Sequence, residues 1–468
     1  MSFFNHQKES GFYPLSDNAD AFVARSALIQ TAKKSIDIQY YAIHSDASGR
    51  YLNHMLLEAA DREVTVRILV DDINLSGRDK ELKLFNLHPN IAIKIFNPLT
   101  NRYWFRNLEL VIHQGRADRR MHNKVFIVDN QIAIIGGRNI GDEYFDNRQS
   151  INFVDLDLLT QGPLIKDITE SFNHYWNSCW AVPITELSIV NVAKKQLIAT
   201  KKRLKDRWNR ARNTPYFQDI NIKKFTQQLQ QNILPFISAP AKLFYDLPEK
   251  ITHTGQSSDI PFGAHIRPII NDATSEIIIV SPYFIPGDDG VNWLSKCANN
   301  HVSIKILTNS LATTDVIAVH AGYQRYRPAL LVSGIKLFEL KPDAHTRFAK
   351  ARNFLKGLQR VSLHAKYIVV DKRWVYTGSA NLDPRSRRLN TEIGVLIDSP
   401  ELAQSIISLF EQTTQIENSY KLFLRDDLLL WSSCEDGKKV EYSHDPKARI
   451  WKRIVVRLMA LLPAENLL

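Results

Sequence analysis

The chain carries two copies of one sequence pattern, and this duplication limits its possible folds more than any other feature. The first copy has His122, Lys124 and Asp129, and the second has His364, Lys366 and Asp371. Each match has the same spacing, 364 − 122 = 242 residues. Apolar segments upstream match at nearly that spacing: 35–43 with 277–285, and 64–69 with 302–307. A repeat of this length in a chain of 468 residues predicts two copies of one domain.

Each copy has the order of a βαβ unit. In the first copy an apolar strand near 35–41 precedes an amphipathic helix at 51–60 and a β-branched strand at 64–69, and the second copy has its helix at 291–298. A βαβ unit joins parallel strands through its helix. We therefore predict an α/β fold of two duplicated domains with mostly parallel sheets. A pseudo-two-fold axis is expected to relate the domains and to place the functional site between them.

The predicted domains are joined by a basic segment. We expect one domain at 1–190, a helical connector at 191–254 and a second domain at 255–468. Within the connector, residues 194–224 contain eleven Lys and Arg and two Asp, so 11 − 2 = +9 of the formal charge of +11 lies there. Such a segment is either a solvated helical face or a patch facing a polyanion, and the sequence leaves both open.

Composition excludes several classes of protein. A hydrophobic content of 44% with 23% charged residues is typical of a globular chain and argues against a disordered, fibrous or multispan membrane protein. Cys179, Cys297 and Cys434 offer neither a disulfide framework nor a CxxC metal site, which favours a reducing compartment. Neither a signal peptide nor a membrane span is recognisable, so any membrane contact is expected to be peripheral.

The repeated motif places an imidazole and an ammonium group side by side. Residues 121–128 have a strand pattern, in which His122 and Lys124 project from the same face. Asp129 and Asn130 form a turn signal before a return strand, and 367–377 repeat this hairpin. Two structural hairpins with incidental surface histidines would leave the repeated polar pairs unexplained.

Convergence of the two motifs would produce a site for phosphodiester chemistry. One neutral imidazole can attack phosphorus, and the other can deliver a proton to the leaving oxygen. The two lysines would stabilise charge on the phosphoryl oxygens. HExxH, CxxC and calcium-loop patterns are absent from the sequence, so no metal or cofactor is predicted.

Paired HxKxxxxD motifs, each followed by a Gly-Gly/Ser-x-Asn turn, resemble the phospholipase D superfamily, and the wider pattern resembles its bacterial cardiolipin synthase C-like branch. The segments that carry this resemblance are Phe-Tyr-Pro-Leu at 12–15, Gln-Tyr-Tyr at 39–41, Arg-Met-His-Asn-Lys at 120–124, Gly-Gly-Arg-Asn-Ile-Gly-Asp-Glu-Tyr-Phe at 136–145, Leu-Thr-Asn-Ser at 307–310, Val-His-Ala-Gly-Tyr at 319–323, Glu-Leu-Lys-Pro at 339–342, Asn-Leu-Asp-Pro-Arg-Ser at 381–386 and Asn-Thr-Glu at 390–392. The likeness extends from about Tyr13 to the C-terminus.

The resemblance implies a role for each motif residue. It makes His122 the nucleophile and His364 the general acid and then base. Lys124 and Lys366 would bind phosphate oxygens, with Asn139 and Asn381 as polar support. The catalytic motifs include Asp129 and Asp371, which in this family mainly orient the hairpin. An acidic residue 25 to 35 positions downstream, here Asp155 and Glu392, would hold the other nitrogen of each histidine.

The resemblance also implies the reaction. A phosphatidyl group would pass through a phosphohistidine to phosphatidylglycerol and give cardiolipin, with phosphatidylethanolamine as the donor implied for this branch. The residues themselves do not distinguish that donor from phosphatidylglycerol. A phospholipase D-type hydrolase and a nuclease on the same scaffold are the alternatives. The apolar segments do not favour a nucleic-acid partner.

Two segments suggest where a lipid surface is contacted. Residues 450–462 have an apolar stripe opposite Lys452, Arg453 and Arg457, as in an interfacial helix, although a helix docked on its own domain would look the same. Residues 102–106 mix aromatic rings and arginines. We expect a peripheral protein on the cytoplasmic face of the bacterial inner membrane.

Overall fold

The fold is described from a computed structural model that covers residues 8–100, 102, 115, 117–148, 150–187, 189–220, 222–252, 261–344 and 360–460, without the side chains of 219 and 261–265. Within these residues the chain forms two α/β halves, and each half is built around one large sheet. The halves repeat the same order of elements around the motif hairpins.

The first half begins with β1 (Ser10–Leu15), α1 (Asn18–Thr31), β2 (Ser35–Tyr40), α2 (Ala47–Asp61), β3 (Thr65–Asp71), α3 (Asp79–Asn86) and β4 (Ile91–Phe96). It continues with β5 (Val125–Val128), β6 (Ile132–Gly136), β7 (Ile151–Val154), β8 (Asp157–Gln161), α4 (Leu164–Trp176), β9 (Ala181–Pro183) and α5 (Ile184–Leu187). The next elements are α6 (Lys194–Ala211), α7 (Pro215–Asp219), α8 (Ile222–Gln230) and β10 (Ile237–Ala239). Its sheet has the strand order β10-β1-β8-β6-β5-β2-β3-β4-β9.

The second half begins with β11 (Ala241–Tyr245), α9 (Pro261–Asn271), β12 (Glu276–Val280), α10 (Gly287–Asn299), β13 (Ser303–Asn309), α11 (Ile317–Gln324), α12 (Arg327–Val332) and β14 (Lys336–Leu340). It continues with β15 (Arg360–Leu363), β16 (Tyr367–Val370), β17 (Trp374–Gly378), α13 (Pro384–Arg388), β18 (Ile393–Asp398) and α14 (Pro400–Thr413). Its last elements are β19 (Ser419–Arg425), β20 (Leu428–Glu435), β21 (Lys438–Tyr442) and α15 (Ile450–Ala460). Its sheet has the order β11-β18-β17-β16-β12-β13-β14-β19-β20-β21.

Both sheets are mixed. The parallel strands form one block in each half, β2-β3-β4 and β12-β13-β14. The motif hairpins add antiparallel neighbours, because β5 pairs with β2 and β16 pairs with β12 in that orientation. The predicted α/β class and the duplication are confirmed, but the parallel arrangement extends only as far as the βαβ units themselves.

Strand residues alternate between two cores because successive side chains point to opposite faces of a sheet. In β5, Phe126 and Val128 join the outer core beneath α1 and α2, whereas Val125 and Ile127 join a central core. That central core also contains residues of the second sheet, such as Ile278 of β12. The two halves therefore share one interior, and their inner sheet faces position the site.

The predicted connector is divided between the halves. Helix α6 buries Leu197 and Leu204 in the outer core of the first half and directs most of its Lys and Arg side chains to solvent. Strand β10 pairs with β1 in the first sheet, and β11 pairs with β18 in the second. The chain passes from one sheet to the other at Pro240, between these strands.

Candidate active site

Two β-hairpins carry the repeated motifs. Strands β5 and β6 are joined through Asp129 and Asn130, with φ of 54° and 51°, and β16 and β17 through Asp371 and Lys372, with φ of 51° and 53°. Two consecutive residues with positive φ form the turn whose twist matches that of the flanking strands. The predicted hairpins are confirmed, but the regular part of the first begins at Val125, so that the motif histidine and lysine lie just before the strand.

The motif aspartates hold the hairpins to the sheet. The Asp129 carboxylate accepts hydrogen bonds from the backbone N–H groups of Lys33, Lys34 and Ser35 at the start of β2, at 2.9, 2.6 and 2.9 Å. Asp371 accepts from the backbone N–H groups of Thr274, Ser275 and Glu276 before and at the start of β12, at 2.9, 2.8 and 3.0 Å. These contacts are with the backbone of a neighbouring strand, so the structure places both aspartates in the scaffold and away from the imidazoles.

Each histidine contacts a carboxylate of the other half. His122 Nδ1 lies 2.9 Å from Glu392 Oε2, and His364 Nδ1 lies 2.6 Å from Asp155 Oδ2. The sequence predicted pairing within each half, Asp155 with His122 and Glu392 with His364. That pairing is wrong, and the structure exchanges the partners.

Strand pairing between the halves causes this exchange. Strand β15, which leads to His364, pairs in parallel with β7, so that Leu363 lies opposite Val154 and the next residues are His364 and Asp155. The first motif repeats this arrangement, because Met121 forms a parallel bridge with Thr391. The His122 N–H donates to the Thr391 carbonyl oxygen at 2.9 Å. Each histidine is thereby placed beside the carboxylate that follows the opposing strand.

Glu392 is fixed by two hydroxyl groups. Ser386 Oγ donates to Glu392 Oε1 at 2.7 Å, and Ser379 Oγ donates to Glu392 Oε2. Burial would raise the pKa of Glu392, but His122 and Lys124 outweigh it and hold this pKa below its ordinary value. Sequence reasoning did not identify either serine, although Ser379 occupies the second position of the Gly-Ser turn in the motif.

Asp155 is held at the other histidine by close backbone packing. The Leu156 N–H donates to Asp155 Oδ1 at 2.8 Å. A Cβ atom at Gly137 would lie 2.2 Å from the same oxygen, so only glycine fits there. Ser379 is the counterpart of Gly137 in the second copy, 242 positions later. The second copy thus has a hydroxyl group where the first has glycine, and this hydroxyl donates to Glu392, a longer acid than Asp155. Burial raises the pKa of Asp155 against the charges of Lys366 and Arg138.

The two lysines are buried in the same cluster. Lys124 Nζ donates to the carbonyl oxygen of its neighbour His122 at 2.6 Å, and Lys366 Nζ donates to that of His364. Burial, together with the charge of Lys366, lowers the pKa of Lys124 to about 7 against the charge of Glu392. Burial also lowers the pKa of Lys366, although Asp155 and Glu392 oppose this. The same two carboxylates, Asp155 and Glu392, thus act on both lysines.

Both imidazoles are neutral at pH 7 in the unliganded site. Burial lowers the pKa of His122 to about 4, since desolvation outweighs the attraction of Glu392. Burial also lowers the pKa of His364 well below its ordinary value, with the charges of Lys366 and Lys124 acting in the same direction. A neutral imidazole whose Nδ1–H is held by a carboxylate presents its Nε2 lone pair to a substrate.

Aromatic rings enclose the imidazoles. The Tyr41 ring lies edge-on to His122 at 5.1 Å, and Tyr144 and Phe153 lie 5.2 and 5.1 Å from His364. Each histidine is only 7% exposed. The motif segments contain both tyrosines, but nothing in the sequence indicated that they pack on the histidines.

The two motif asparagines are not equivalent. Asn139 Oδ1 accepts from the Ala42 N–H at 3.2 Å, and its Nδ2 donates to Tyr144 Oη at 2.8 Å. It therefore holds the loop that carries Tyr144. The buried Oδ1 of Asn381 has no hydrogen-bond partner in the described residues.

One further cluster has the residue types of a metal site. Ligand atoms of His44, Asp46 and Glu143 lie within 4.8 Å of one another. Their polar atoms are already partnered: His44 Nδ1 lies 3.1 Å from Glu143 Oε1, and Asp46 Oδ2 accepts from the Asp142 N–H at 2.7 Å. The hydrogen bond to Glu143 raises the pKa of His44. Ion pairing accounts for this cluster, and we assign no metal to it.

Comparison with known proteins places the chain in a family. The family model described as "Cardiolipin synthase, PLD-like domain" matches residues 26–176 and 266–414. Among solved structures, the phosphatidylserine synthase of Haemophilus influenzae Rd KW20 has a TM-score of 0.63 at 14% identity, over 97% of this chain and 94% of that one. The chain belongs to the cardiolipin synthase family of phospholipase D-like proteins.

Individual relatives within this family indicate which of its members the chain resembles in sequence and length. The cardiolipin synthase C of Escherichia coli (strain K12) is 37% identical over 465 residues, which covers 99% of this chain and 97% of that protein. The cardiolipin synthase of Clostridium perfringens (strain SM101 / Type A) is 26% identical, over 87% of this chain and 72% of that protein. This similarity supports a phosphatidyltransferase and confirms the resemblance seen in the motifs.

Proposed function

We propose that this protein is a cardiolipin synthase that transfers a phosphatidyl group, through a phosphohistidine, to the glycerol hydroxyl of phosphatidylglycerol. The observation that carries the proposal is the pair of imidazole–carboxylate contacts, one histidine from each half, in a buried cluster with Lys124 and Lys366. The full-length similarity to cardiolipin synthase C supports the substrate class.

In the first step His122 is the nucleophile. Its Nε2 lone pair forms the bond to phosphorus while the bond from phosphorus to the head-group oxygen breaks. His364 gives its Nε2 proton to the leaving oxygen. The bound phosphodiester carries a negative charge, which raises the pKa of the adjacent imidazole and so supplies the protonated form of His364.

The second step reverses these roles. The glycerol hydroxyl of phosphatidylglycerol loses its proton to His364 Nε2, and its oxygen attacks phosphorus. The bond between phosphorus and His122 Nε2 breaks, and its electron pair returns to the imidazole. Lys124 and Lys366 stabilise the phosphoryl oxygens in both steps, because a positive charge is most effective where water is excluded.

The donor is proposed to be phosphatidylethanolamine, which would release ethanolamine, or phosphatidylglycerol, which would release glycerol. The similarity to cardiolipin synthase C favours the first. Either lipid presents the same phosphodiester to the two histidines, so the proposed chemistry is unchanged.

Helix α15 supports a peripheral contact with the membrane. Its apolar residues Ile450, Trp451, Ile454 and Leu458 are 74%, 50%, 54% and 60% exposed. The helix docks on its own domain through Val456, which lies outside the predicted apolar stripe and packs in a small core. The stripe therefore remains available to a lipid surface. Residues 461 and 462, which extend it in the sequence, lie outside the described residues.

A basic pocket lies beside this helix. It has a volume of about 440 Å³ and is lined by Arg360, Lys447, Arg449 and Lys452 with Asp343. Such a concentration of positive charge at the end of an apolar helix face suits the anionic head groups of a bacterial membrane. We propose that the cytoplasmic face of the inner membrane is the site of contact. Across the described residues we find no helix with the length and apolarity of a membrane span.

The other predicted membrane segment does not support this contact. Arg102 is buried and paired with Asp72 and Asp79, each at 2.5 Å. Residues 103–106 lie outside the described residues. The arginine that begins this segment therefore binds acidic side chains of its own domain.

Product analysis tests the proposal. Purified full-length protein would be incubated with vesicles of labelled phosphatidylglycerol, with and without phosphatidylethanolamine. Cardiolipin formed only with both lipids would support the transferase and its donor together. Cardiolipin from phosphatidylglycerol alone would change the donor. Phosphatidic acid as the only product would overturn the transferase, because water would then be the acceptor.

Substitution of the histidines tests the mechanism. His122→Ala and His364→Ala should each lower cardiolipin formation by about a thousandfold or more, because nucleophile and general acid are both required. With ³²P-labelled donor, the unaltered protein should carry acid-labile label, and His122→Ala should carry none. Circular dichroism would establish that the variants are folded. Substantial turnover by either variant would contradict the proposed roles.

A further inference from the structure

An apolar cavity lies in the second half, between α9, α10 and the loop that follows β17. Its volume is about 150 Å³. The apolar part of its wall comes mainly from Ile266, Ile270, Phe284, Ile285, Trp293 and Leu294. An apolar cavity of roughly this volume binds a benzene-sized group in other proteins. The cavity could therefore hold a short length of hydrocarbon.

A chain of hydrogen bonds connects this cavity to the catalytic cluster. Asn381 and Asp383 form part of the wall. The Asn381 N–H donates to Ser386 Oγ at 3.2 Å, and Ser386 Oγ donates to Glu392 Oε1 at 2.7 Å. Glu392 in turn holds His122. Asn381 in the cavity wall is thus two hydrogen bonds from the carboxylate that contacts His122.

The side chain of Asn381 is available to a ligand. Its buried Oδ1 has no partner in the described residues, and the residue is 6% exposed. The matching Asn139 in the first half bonds to Ala42 and Tyr144. A buried amide oxygen without a partner costs stability, so a native structure that keeps one at a cavity wall invites a polar ligand group. A flip of the amide exchanges its oxygen and its NH₂ group, so this position can donate to an ester oxygen as well as accept from a hydroxyl.

In the first half the equivalent space between α2 and the connector helix α6 is basic: a pocket of about 370 Å³ there is lined by Arg50, Arg207 and Arg210 as well as by Tyr51 and Trp208. Tyr51 is the counterpart of Trp293 at the spacing of 293 − 51 = 242. The Tyr51 ring packs against Trp208 at 3.9 Å and Phe217 at 5.7 Å, both from the connector helices. Trp293, by contrast, lines the open cavity. The two similar locations therefore differ in their lining: the first half has a pocket lined by arginines, and the second has a cavity with a mainly apolar wall.

We propose that this cavity binds the first methylene groups of an acyl chain of the phosphatidyl group that is being transferred, with the Asn381 amide donating a hydrogen bond to the ester oxygen of that chain. The inference rests on the proposed function, since it takes the substrate to be a phospholipid. The amide and the apolar side chains line one cavity, as the ester and the hydrocarbon adjoin in the lipid. The hydrogen bonds through Ser386 connect this cavity to the carboxylate that contacts His122.

Photolabelling tests the site without requiring turnover. The probe is phosphatidylglycerol with a diazirine on an acyl carbon close to the ester, added to the full-length His122→Ala variant. Carbene adducts are expected in the peptides that contain 266–270 and 284–294, and excess unlabelled phosphatidylglycerol should reduce them. A fatty acid with the same diazirine is the control for general labelling of apolar surface such as α15. Adducts that are absent from both peptides would overturn the proposal.

A matched pair of variants tests the effect on the reaction. Leu294→Phe fills the cavity, whereas Leu330→Phe makes the same change in the same core but away from the cavity. The measured quantity is the ratio of turnover of dioleoyl donor to hydrolysis of bis(4-nitrophenyl) phosphate, which has no acyl chain. This ratio should fall about tenfold in Leu294→Phe and stay unchanged in Leu330→Phe.

The outcomes separate the two proposals. An unchanged ratio in a folded Leu294→Phe variant would overturn the acyl site, even if the protein makes cardiolipin. Photolabelling of the cavity in a protein that releases only phosphatidic acid would keep the acyl site and overturn the transferase. If Leu294→Phe fails to fold, the photolabelling of the unaltered cavity decides the matter.

Discussion

Among the individual residues of the site, the contact between each imidazole and its carboxylate determines which nitrogen faces the phosphate. Glu392 and Asp155 each hold an Nδ1 atom, which leaves Nε2 of each imidazole to face the phosphate in the proposed mechanism. The motif lysines are buried, so water screens their charges poorly. Small changes in these side chains are therefore expected to have large effects on turnover.

The exchanged pairing can be measured directly. Glu392→Gln should lower turnover by about 10² to 10⁴, because the amide no longer favours the productive tautomer of His122. Nitrogen NMR of labelled histidines should show the His122 signals changing in Glu392→Gln, with those of His364 unchanged. Asp155→Asn should have the opposite pattern. The His122→Ala and His364→Ala variants assign the NMR signals to their histidines. If Glu392→Gln instead changed the His364 signals and Asp155→Asn changed those of His122, the pairing would be within each half.

The pKa values predict an asymmetric pH profile for kcat/KM, which reports the free enzyme. The pKa of His122 is about 4, so this nucleophile is neutral from about pH 5 upward. The pKa of Lys124 is about 7, so its positive charge is present below that pH and lost above it. The pKa of His364 is lowered as well, and the first step needs this imidazole protonated. We therefore expect kcat/KM to fall as the pH rises, and to fall more steeply above about pH 7, where Lys124 loses its charge. Lys124→Arg should remove the steeper part of the decline, and a profile that is unchanged above pH 7 would exclude Lys124 as its cause.

Among the secondary-structure elements, each motif hairpin is held by an aspartate that never reaches the site. Asp129 and Asp371 accept backbone hydrogen bonds at the start of β2 and β12. In the proposed mechanism the motif thus combines two functions in one short segment: its histidine and lysine do the chemistry, and its aspartate fixes the strand that presents them.

Asp129→Ala should therefore affect stability more than catalysis. Loss of the carboxylate leaves several N–H groups without their acceptor, which should cost about 2 kcal/mol and a few degrees in Tm. Turnover at room temperature should stay within about threefold of the unaltered protein, and Asp371→Ala should behave in the same way. Thermal unfolding and initial rates measure the two effects. A thousandfold loss of turnover in a stable variant would place the aspartate in the chemistry instead.

In the molecule as a whole, the site exists only where the two halves meet. The parallel pairing of β7 with β15 joins them directly, and the central core contains residues from both. The exposed face of α15 and the basic pocket beside it lie on the second half. The proposed membrane contact therefore lies on the half that carries the apolar cavity.

The orientation of α15 predicts a specific loss of membrane binding. Ile454→Asp should reduce sedimentation with anionic vesicles about tenfold or more, because a charge on the exposed face opposes insertion. Leu428→Asp is the matched control, since Leu428 is 67% exposed on β20 and Ile454 is 54% exposed on α15. Turnover of detergent-dispersed lipid should change little in either variant. Equal vesicle binding by both would remove α15 from the proposed membrane surface.

The duplication, the α/β class, the hairpins and the residue types of the site can all be read from the amino-acid sequence alone. Local physics is sufficient for these features. The periodic placement of apolar residues predicts the strands and helices, and turn residues such as Asp129 and Asn130 mark the hairpins. The second motif repeats the residues of the first at an offset of 242 positions, which links the two motifs. The same motifs also indicate that the chain is a phospholipase D-like protein.

Which groups touch, by contrast, depends on the tertiary structure. The exchange of Glu392 and Asp155 between the halves requires contacts between residues that lie 270 and 209 positions apart in the chain, and no local pattern contains such pairings. The same is true of Val456, because the docking of α15 buries this apolar residue outside the stripe, with Met459 packed beside it, and leaves Ile450, Ile454 and Leu458 exposed. Whether the space beside Tyr51 is basic or apolar likewise depends on the distant segment that packs there, because α6 brings Arg207 and Arg210 to it. Contacts between distant segments follow from how whole surfaces fit together, and a one-dimensional pattern does not specify that fit.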